Sequence, residues 1–199
     1  WLPNGVDFEL FHQALEPNDA LPADMAGVPG PVIGYAGWLG YQIDVPLLLR
    51  VADRYPDCSL VLVGPDELPP SAAKDELRAR PNVFFLGRKD RAELPAYLRA
   101  FDVALIPYAL DGHVLSIYPL KLHEYLAAGR SVVSVKLPEL RPYADVVRLA
   151  ETSDEFVNGI ATALHDHSPD AIARRVNIAR DNTWDARVAE LHRILDARL

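Results

Sequence analysis

The chain has 199 residues, with 20 Lys and Arg against 28 Asp and Glu, a net charge of −8 at neutral pH. Half the residues are hydrophobic, an ordinary globular composition with ample material for one large or two small domains. The acidic balance without any basic run lacks the electrostatic footprint of a nucleic-acid binder. The solitary Cys58 excludes an internal disulfide framework or a Cys-rich zinc site, and no apolar stretch approaches the roughly 20 residues that span a bilayer. No signal-peptide pattern is present, so the expected compartment is the cytosol. The chain opens Trp1-Leu2-Pro3-Asn4-Gly5 without an initiator Met. This reads as the interior of a longer protein, with a processed N-terminus as the alternative.

In chain order, strands and helices alternate. Val32 to Gly37 is a short apolar run, and Val45 to Tyr55 places Leu48, Val51, Ala52 and Tyr55 at helical spacing. Leu60–Gly64 predicts a second strand, Lys74–Arg80 a short polar helix and Val83–Gly87 a third strand. Leu94, Tyr97, Leu98 and Phe101 define an amphipathic helix, followed by a strand at Val103–Pro107. Pro119–Ala128 reads as a helix with Pro in its first turn and Gly129 at its end. Strands at Ser131–Val135 and Val146–Ala150 follow, and from Ser153 the chain reads as helical in three pieces. Continuous rather than alternating apolar strands are buried on both faces, as in parallel sheets covered by helices. The fold class is therefore α/β, a Rossmann-like doubly wound parallel sheet of about six strands with a helical tail packed on it. Residues 1–199 form a single domain, divided into an entry segment (1–30), the α/β core (31–150) and the tail (151–199).

Ligands of open parallel sheets bind outside the carboxyl ends of the strands. Gly37, Gly64 and Gly87 fall at such ends, where turn chemistry alone would also place glycine. The run Gly34-Tyr35-Ala36-Gly37-Trp38-Leu39-Gly40 is not the dinucleotide fingerprint; only Asp66, following the second strand, keeps a nicotinamide cofactor as a weak alternative. The segment Tyr118-Pro119-Leu120-Lys121-Leu122-His123-Glu124 starts a helix after a long loop. Its N–H groups suit phosphate. Lys121 and Glu124 share a helix face, so a carboxylate can take a ribose diol and a lysine a phosphate; an i,i+3 surface ion pair explains the spacing equally well. His113, in the preceding loop, is either a substrate contact or a solvated residue. The histidines form no metal pattern and no metal is expected.

Several segments in order resemble the C-terminal, nucleotide-sugar-binding half of GT-B glycosyltransferases of the group 1 type. They are Pro3-Asn4-Gly5-Val6-Asp7 with Phe11, Tyr35-Ala36-Gly37, Leu60 to Pro65, Pro81 to Gly87, Leu94 to Leu98 with Phe101-Asp102-Val103, Pro119 to Val133, and Ala179 to Trp184 with Arg187. The resemblance implies a glycosyltransferase, metal-independent and of the retaining kind. Its substrate would be a nucleoside diphosphate sugar, with no bound cofactor. Glu124 would hold the ribose hydroxyls, and Leu115, Ser116, Ile117 and Tyr118 with the helix start would hold the diphosphate through backbone N–H groups. Gly87 and Arg88 would lie beside the base, and the Gly37 loop beside the phosphates. Acceptor binding would belong to an N-terminal half absent here, without which this half would be inactive, and the full-length protein could associate peripherally with a membrane.

Two departures stand out. Many retaining members carry a second Glu eight residues before the ribose-binding one, where this chain has Ser116. The usual diphosphate-clamping Arg and Lys after the first glycine loop are also missing, because Trp38 follows Gly37. Lys121 is the best replacement. Trp38 and Tyr118 either cap the cleft or belong to the core. The alternatives to a glycosyltransferase half are a sugar-nucleotide epimerase half and a non-catalytic α/β interaction domain.

Overall fold

The computed structural model describes residues 3–17 and 20–197; Trp1 and Leu2 of the expected entry segment lie outside them. Six strands form one sheet: β1 (Val32–Ala36), β2 (Ser59–Val63), β3 (Val83–Gly87), β4 (Val103–Ile106), β5 (Ser131–Val135) and β6 (Val147–Ala150). All pairings are parallel, in the order β3-β2-β1-β4-β5-β6. The strand order therefore reverses between β1 and β4, and a parallel sheet opens a crevice at such a reversal. The four central strands β1, β2, β4 and β5 are buried along their whole length. The edge strand β3 is half-buried throughout, with the Arg78 guanidinium laid over the Phe85 ring. Burial on both faces is why the inner strands read as unbroken apolar runs.

The helices are α1 (Phe8–His12), α2 (Val45–Arg54), α3 (Ala72–Ala79), α4 (Leu94–Ala100), α5 (Lys121–Ala127), α6 (Ser153–Ala163), α7 (Pro169–Arg180) and α8 (Trp184–Asp196). Side-chain caps open most of them. Asp44 accepts from the Leu47 N–H at 2.8 Å, and Ser71, Thr152, Ser168 and Thr183 cap α3, α6, α7 and α8 in the same way. Loops are fixed as firmly. The Asn82 amide donates to the carbonyls of Ala52, Tyr55 and Cys58, locking the turn into β2. Asp102 takes the Val32 N–H at 2.7 Å, tying the foot of β4 to the foot of β1.

The tail behaves in two ways. Helices α6 and α7 pack on the core: Phe156, Ile160, Ala163 and Ala179 are fully buried. Helix α8 has no buried residue, and Trp184, Val188, Leu191 and Leu195 lie exposed along it. The expectation of a tail packed on the sheet holds for its first two helices and fails for the third. At its start, α8 is held by the entry segment. Val6 pairs in parallel with Thr183, its N–H donates to Asn182 O, and Trp184 N–H donates back to Val6 O.

Candidate functional site

The carboxyl ends of β1, β2 and β3 finish in a row of glycines in contact through the backbone. Gly37 N–H donates to Val63 O at 2.8 Å and Gly64 N–H to Gly87 O at 2.9 Å. Gly64 has φ +141°, and a Cβ there would lie 1.8 Å from Gly37 O. No other residue can occupy that position without moving the β1 loop. The loop itself is tied down. Trp38 O accepts from the Tyr35 hydroxyl and the Gln42 amide, both at 2.8 Å, and the Trp38 indole N–H donates to Glu67 at 2.8 Å. Trp38 is 39% exposed with its ring against Gly40. It is thus a surface ring rather than a core one.

Over the Gly37 turn lies the Lys121 ammonium. A Cβ on Gly37, at φ +150°, would sit 3.0 Å from its Nζ. The ammonium donates to the Tyr108 hydroxyl at 2.8 Å and stands 5.1 and 5.3 Å from the Tyr35 and Tyr108 ring centres. Among the described residues no carboxylate lies within ion-pairing distance of it. Burial works against this cation, yet Tyr35, Tyr108 and the nearby Glu124 together hold its pKa above the ordinary lysine value. One turn on, the mostly buried Glu124 carboxylate meets the Arg91 guanidinium at 3.6 Å. Burial pushes the Glu124 pKa up, with Lys121 and Arg91 opposing. The i,i+3 ion pair that spacing allows is not formed: Lys121 turns to the tyrosines and Glu124 to Arg91. Next to Glu124 on α5 is Tyr125, whose buried hydroxyl accepts from Ala36 N–H at 2.9 Å and donates to Ala36 O at 3.2 Å. This fixes α5 against the end of β1.

The loop before α5 departs from expectation. The N–H groups of Leu115, Ser116 and Ile117 are spent on Asp111, His113 and Val114 carbonyls within a tight 3-10 turn. The N–H groups of Tyr118, Leu120 and Lys121 carry no hydrogen bond among the described residues. Of the expected donors, those of Leu115, Ser116 and Ile117 are engaged, and those of Tyr118 and the helix start are left. His113, Leu115 and Ser116 are exposed, as is Arg88 beyond Gly87, and no hydrogen bond or ion pair joins them to Lys121 or Glu124.

Tyr118 is anchored from behind. Its hydroxyl lies 2.5 Å from His123 Nε2 and 2.9 Å from the Tyr143 hydroxyl, which in turn donates to Asn182 Oδ1 at 3.4 Å. Asn182 Oδ1 also receives the Arg187 guanidinium, and the Asn4 amide donates to Tyr118 O at 3.4 Å. Donors are all satisfied if His123 Nε2–H gives to Tyr118, Tyr118 to Tyr143 and Tyr143 to Asn182. The one atom left over is His123 Nδ1, an acceptor without a partner. Burial, with Arg187 nearby, lowers the His123 pKa to about 4. Sequence reasoning found neither this chain nor Arg91, Tyr35 and Tyr108, because nothing in their spacing marks them.

Asp66 has no free face for a ribose. It pairs with Lys74 at 3.1 Å and with Arg78, and accepts the Leu68 N–H. Hydrogen bonds from Arg78 and Lys74 outweigh burial and lower its pKa. The nicotinamide alternative loses its carboxylate. Among the described residues no three His, Cys, Asp or Glu side chains gather as metal ligands, and no helix is long and apolar enough to cross a membrane.

Comparison with known proteins places this architecture. Residues 30–178 match the family of glycosyl transferases group 1. The chain is 30% identical over 187 residues to the putative teichuronic acid biosynthesis glycosyltransferase TuaH of Bacillus subtilis (strain 168), covering 92% of this chain and 47% of that one. Among solved structures it is similar to the Anabaena protein Alr3699/HepE, crystallised with UDP and glucose (TM-score 0.70, 18% identity, 98% of this chain and 56% of that one). It is also similar to sucrose-phosphate synthase of Thermosynechococcus elongatus (TM-score 0.68, 21% identity, 100% and 53%). A C-terminal domain alone, that of the Francisella tularensis group 1 family glycosyl transferase LpcC, matches over 94% of this chain and 98% of its own length, at 19% identity and TM-score 0.55. These structural likenesses are of fold. The chain spans about half the length of the curated relative it matches. A six-stranded parallel sheet in this order, a glycine row at its carboxyl edge and a sequence matched from residue 30 to residue 178 lead to one assignment: the chain belongs to the glycosyl transferases group 1 family.

Proposed function

We propose that this chain is the donor-binding half of a glycosyltransferase that takes a nucleoside diphosphate sugar and releases the nucleoside diphosphate as the sugar passes to an acceptor. The observation that carries the reading is Lys121: a partly buried ammonium without a carboxylate partner, closed over the Gly37 turn, with Glu124 one helical turn away. A cation desolvated among phenols and left without an anion is poised for one. At the strand-order reversal, that anion is the diphosphate of a ligand lying across the crevice. Lys121 and the free N–H groups of Tyr118, Leu120 and Lys121 would neutralise the charge that grows on the leaving diphosphate, with no metal needed for that task. Glu124, accepting from two ribose hydroxyls, fixes the nucleoside. Gly64 lets the Gly37 turn close against it, and Gly37 lets the Lys121 ammonium lie over that turn; Gly87, with open space at its Cβ position, and Arg88 would face the base.

Support for donor binding comes from the family and from a structural neighbour crystallised with UDP and glucose. The direct test is thermal unfolding of the chain, and of the full-length protein, with UDP, GDP, dTDP, CDP and ADP. A ligand at a hundredfold excess over its Kd stabilises the fold by about 2.7 kcal/mol. One diphosphate should raise Tm. Lys121→Ala should weaken that diphosphate far more than the matching nucleoside, whereas Glu124→Ala should weaken both. No shift with any diphosphate in the full-length protein, or equal losses for both ligands in Lys121→Ala, would overturn the assignment. A retaining course, which the resemblance implies, is read from the anomeric configuration of the product.

A further inference from the structure

We propose that Arg91, on the turn that follows Gly87 and Arg88, is a positioning residue for the nucleotide: it holds the Glu124 carboxylate in place from a separate element. This inference rests on the donor-site reading above and adds a residue to it. Arg91 belongs to the short turn between β3 and α4, just beyond Gly87 and Arg88. Its Nη1 stands 3.6 Å from Glu124 Oε1, and its guanidinium lies over the ring of the fully buried Phe11 at 5.2 Å. The ring lies beneath the guanidinium of a side chain that is 55% exposed, and this second contact favours the orientation that faces Glu124.

Among the described residues, Arg91 is the one charged group that reaches Glu124 from another element. On its own helix the nearby charge is Lys121, which is engaged with Tyr108. The buried Tyr125 hydroxyl is taken up by Ala36. Of the helices packed on α5, α1 sends His12 to Ala127 O at 3.3 Å and α7 sends Arg175 to Gly129 O at 3.1 Å, both at the far end of the helix. Strand β5 presents only Ser and Val. Arg91 also shares the wall of an open depression of about 320 Å³ with the acidic Asp7, Glu9 and Asp185; among the described residues none of these three forms an ion pair with it. Glu124 accepts from two ribose hydroxyls with both oxygens only when ionised, since protonation turns one of them into a donor, and its burial favours the neutral acid. Removing Arg91 takes away one of two opposing cations. What remains is a carboxyl that protonates earlier and turns freely.

The experiment compares wild type with Arg91→Met, which keeps an apolar stem on Phe11, and Arg91→Lys, which keeps the charge. In the ligand-free chain the Glu124 carboxyl is followed by carbon NMR against pH. Its titration midpoint should rise in Arg91→Met and fall back in Arg91→Lys. Affinity for whichever of UDP, GDP, dTDP, CDP or ADP binds wild type is then measured between pH 5 and 8. Arg91→Met should bind about three- to fivefold more weakly at pH 7, the size expected of one partly exposed ion pair. The loss should widen as the pH falls, and Arg91→Lys should restore most of it. A Glu124 titration unchanged in Arg91→Met overturns the inference. So does wild-type affinity in Arg91→Met at every pH while wild type itself binds. If the full-length wild type binds none of the diphosphates, the donor-site reading fails, and the role of Arg91 at a nucleotide fails with it.

Discussion

Replacing His123 by Gln should remove a large part of the protein's sensitivity to acid. His123 is 0% exposed, its Nε2 faces the Tyr118 hydroxyl and its Nδ1 has no partner. Its pKa falls from 6.5 to about 4, chiefly through burial. The unfolded chain therefore takes up a proton as the pH drops through 6.5, while the folded chain refuses it until about 4. The folded state keeps its full stability above 6.5 and loses it progressively across that window. Between pH 7 and pH 5 the linkage relation gives a loss of about 2 kcal/mol from this one residue. Gln presents an N–H to Tyr118 from nearly the same place and does not titrate. Urea unfolding of both proteins at pH 7 and pH 5 provides the comparison. Asp24, Asp53 and Asp66, whose pKa values are lowered by their cationic partners, contribute equally to both proteins and cancel. His123→Gln can be less stable than wild type at pH 7, but its drop on acidification should be smaller by about 2 kcal/mol. An equal drop in the two proteins would show that His123 is not held neutral by its burial.

Gly64→Ala should be among the most damaging small substitutions, because its Cβ would lie 1.8 Å from Gly37 O at φ +141°. A loss above about 3 kcal/mol is expected, and a thermal melt within a few degrees of wild type would contradict it. Tyr125→Phe strips Ala36 of both hydroxyl bonds at a buried site and should cost about 2 kcal/mol. Because Ala36 precedes the Gly37 turn, the variant should also bind the diphosphate more weakly than its loss of stability alone requires. Calorimetric titration under conditions where it is fully folded checks this.

The fold was legible in the sequence because its central strands are buried on both faces and its helices are amphipathic. Both patterns survive in single-sequence periodicity, and the strand bounds differ from expectation by a residue or so. Helix α1 was not foreseen. Five residues are too short to show a period, although Asp7 at its cap was a signal. The exposed face of α8 was not foreseen either, since Trp184, Val188, Leu191 and Leu195 repeat at the spacing of a buried helix face. The site was half legible. Gly37, Gly64, Lys121 and Glu124 announce themselves through strand ends and helix spacing. Arg91 lies more than thirty residues before Glu124, Tyr35 sits inside a strand-like run, and Tyr108 falls just past another. Only the strand order, which no local pattern encodes, brings them to one crevice. The loss of Leu115, Ser116 and Ile117 from the expected backbone donors turns on one 3-10 turn, and local propensity does not separate that turn from an open loop.

The pairing of Val6 with Thr183 carries a consequence for synthesis. The two partners stand about 180 residues apart, so at the roughly 5–20 residues per second of translation the entry segment waits about 9 to 36 s for its mate. During that interval the buried side chains of Val6 and Phe8 have no native cover from the tail, and Asn4 has no Arg187 to meet. Closure of this clasp therefore has to wait until nearly the whole described chain has been made, which separates it in time from any contact formed between neighbouring elements.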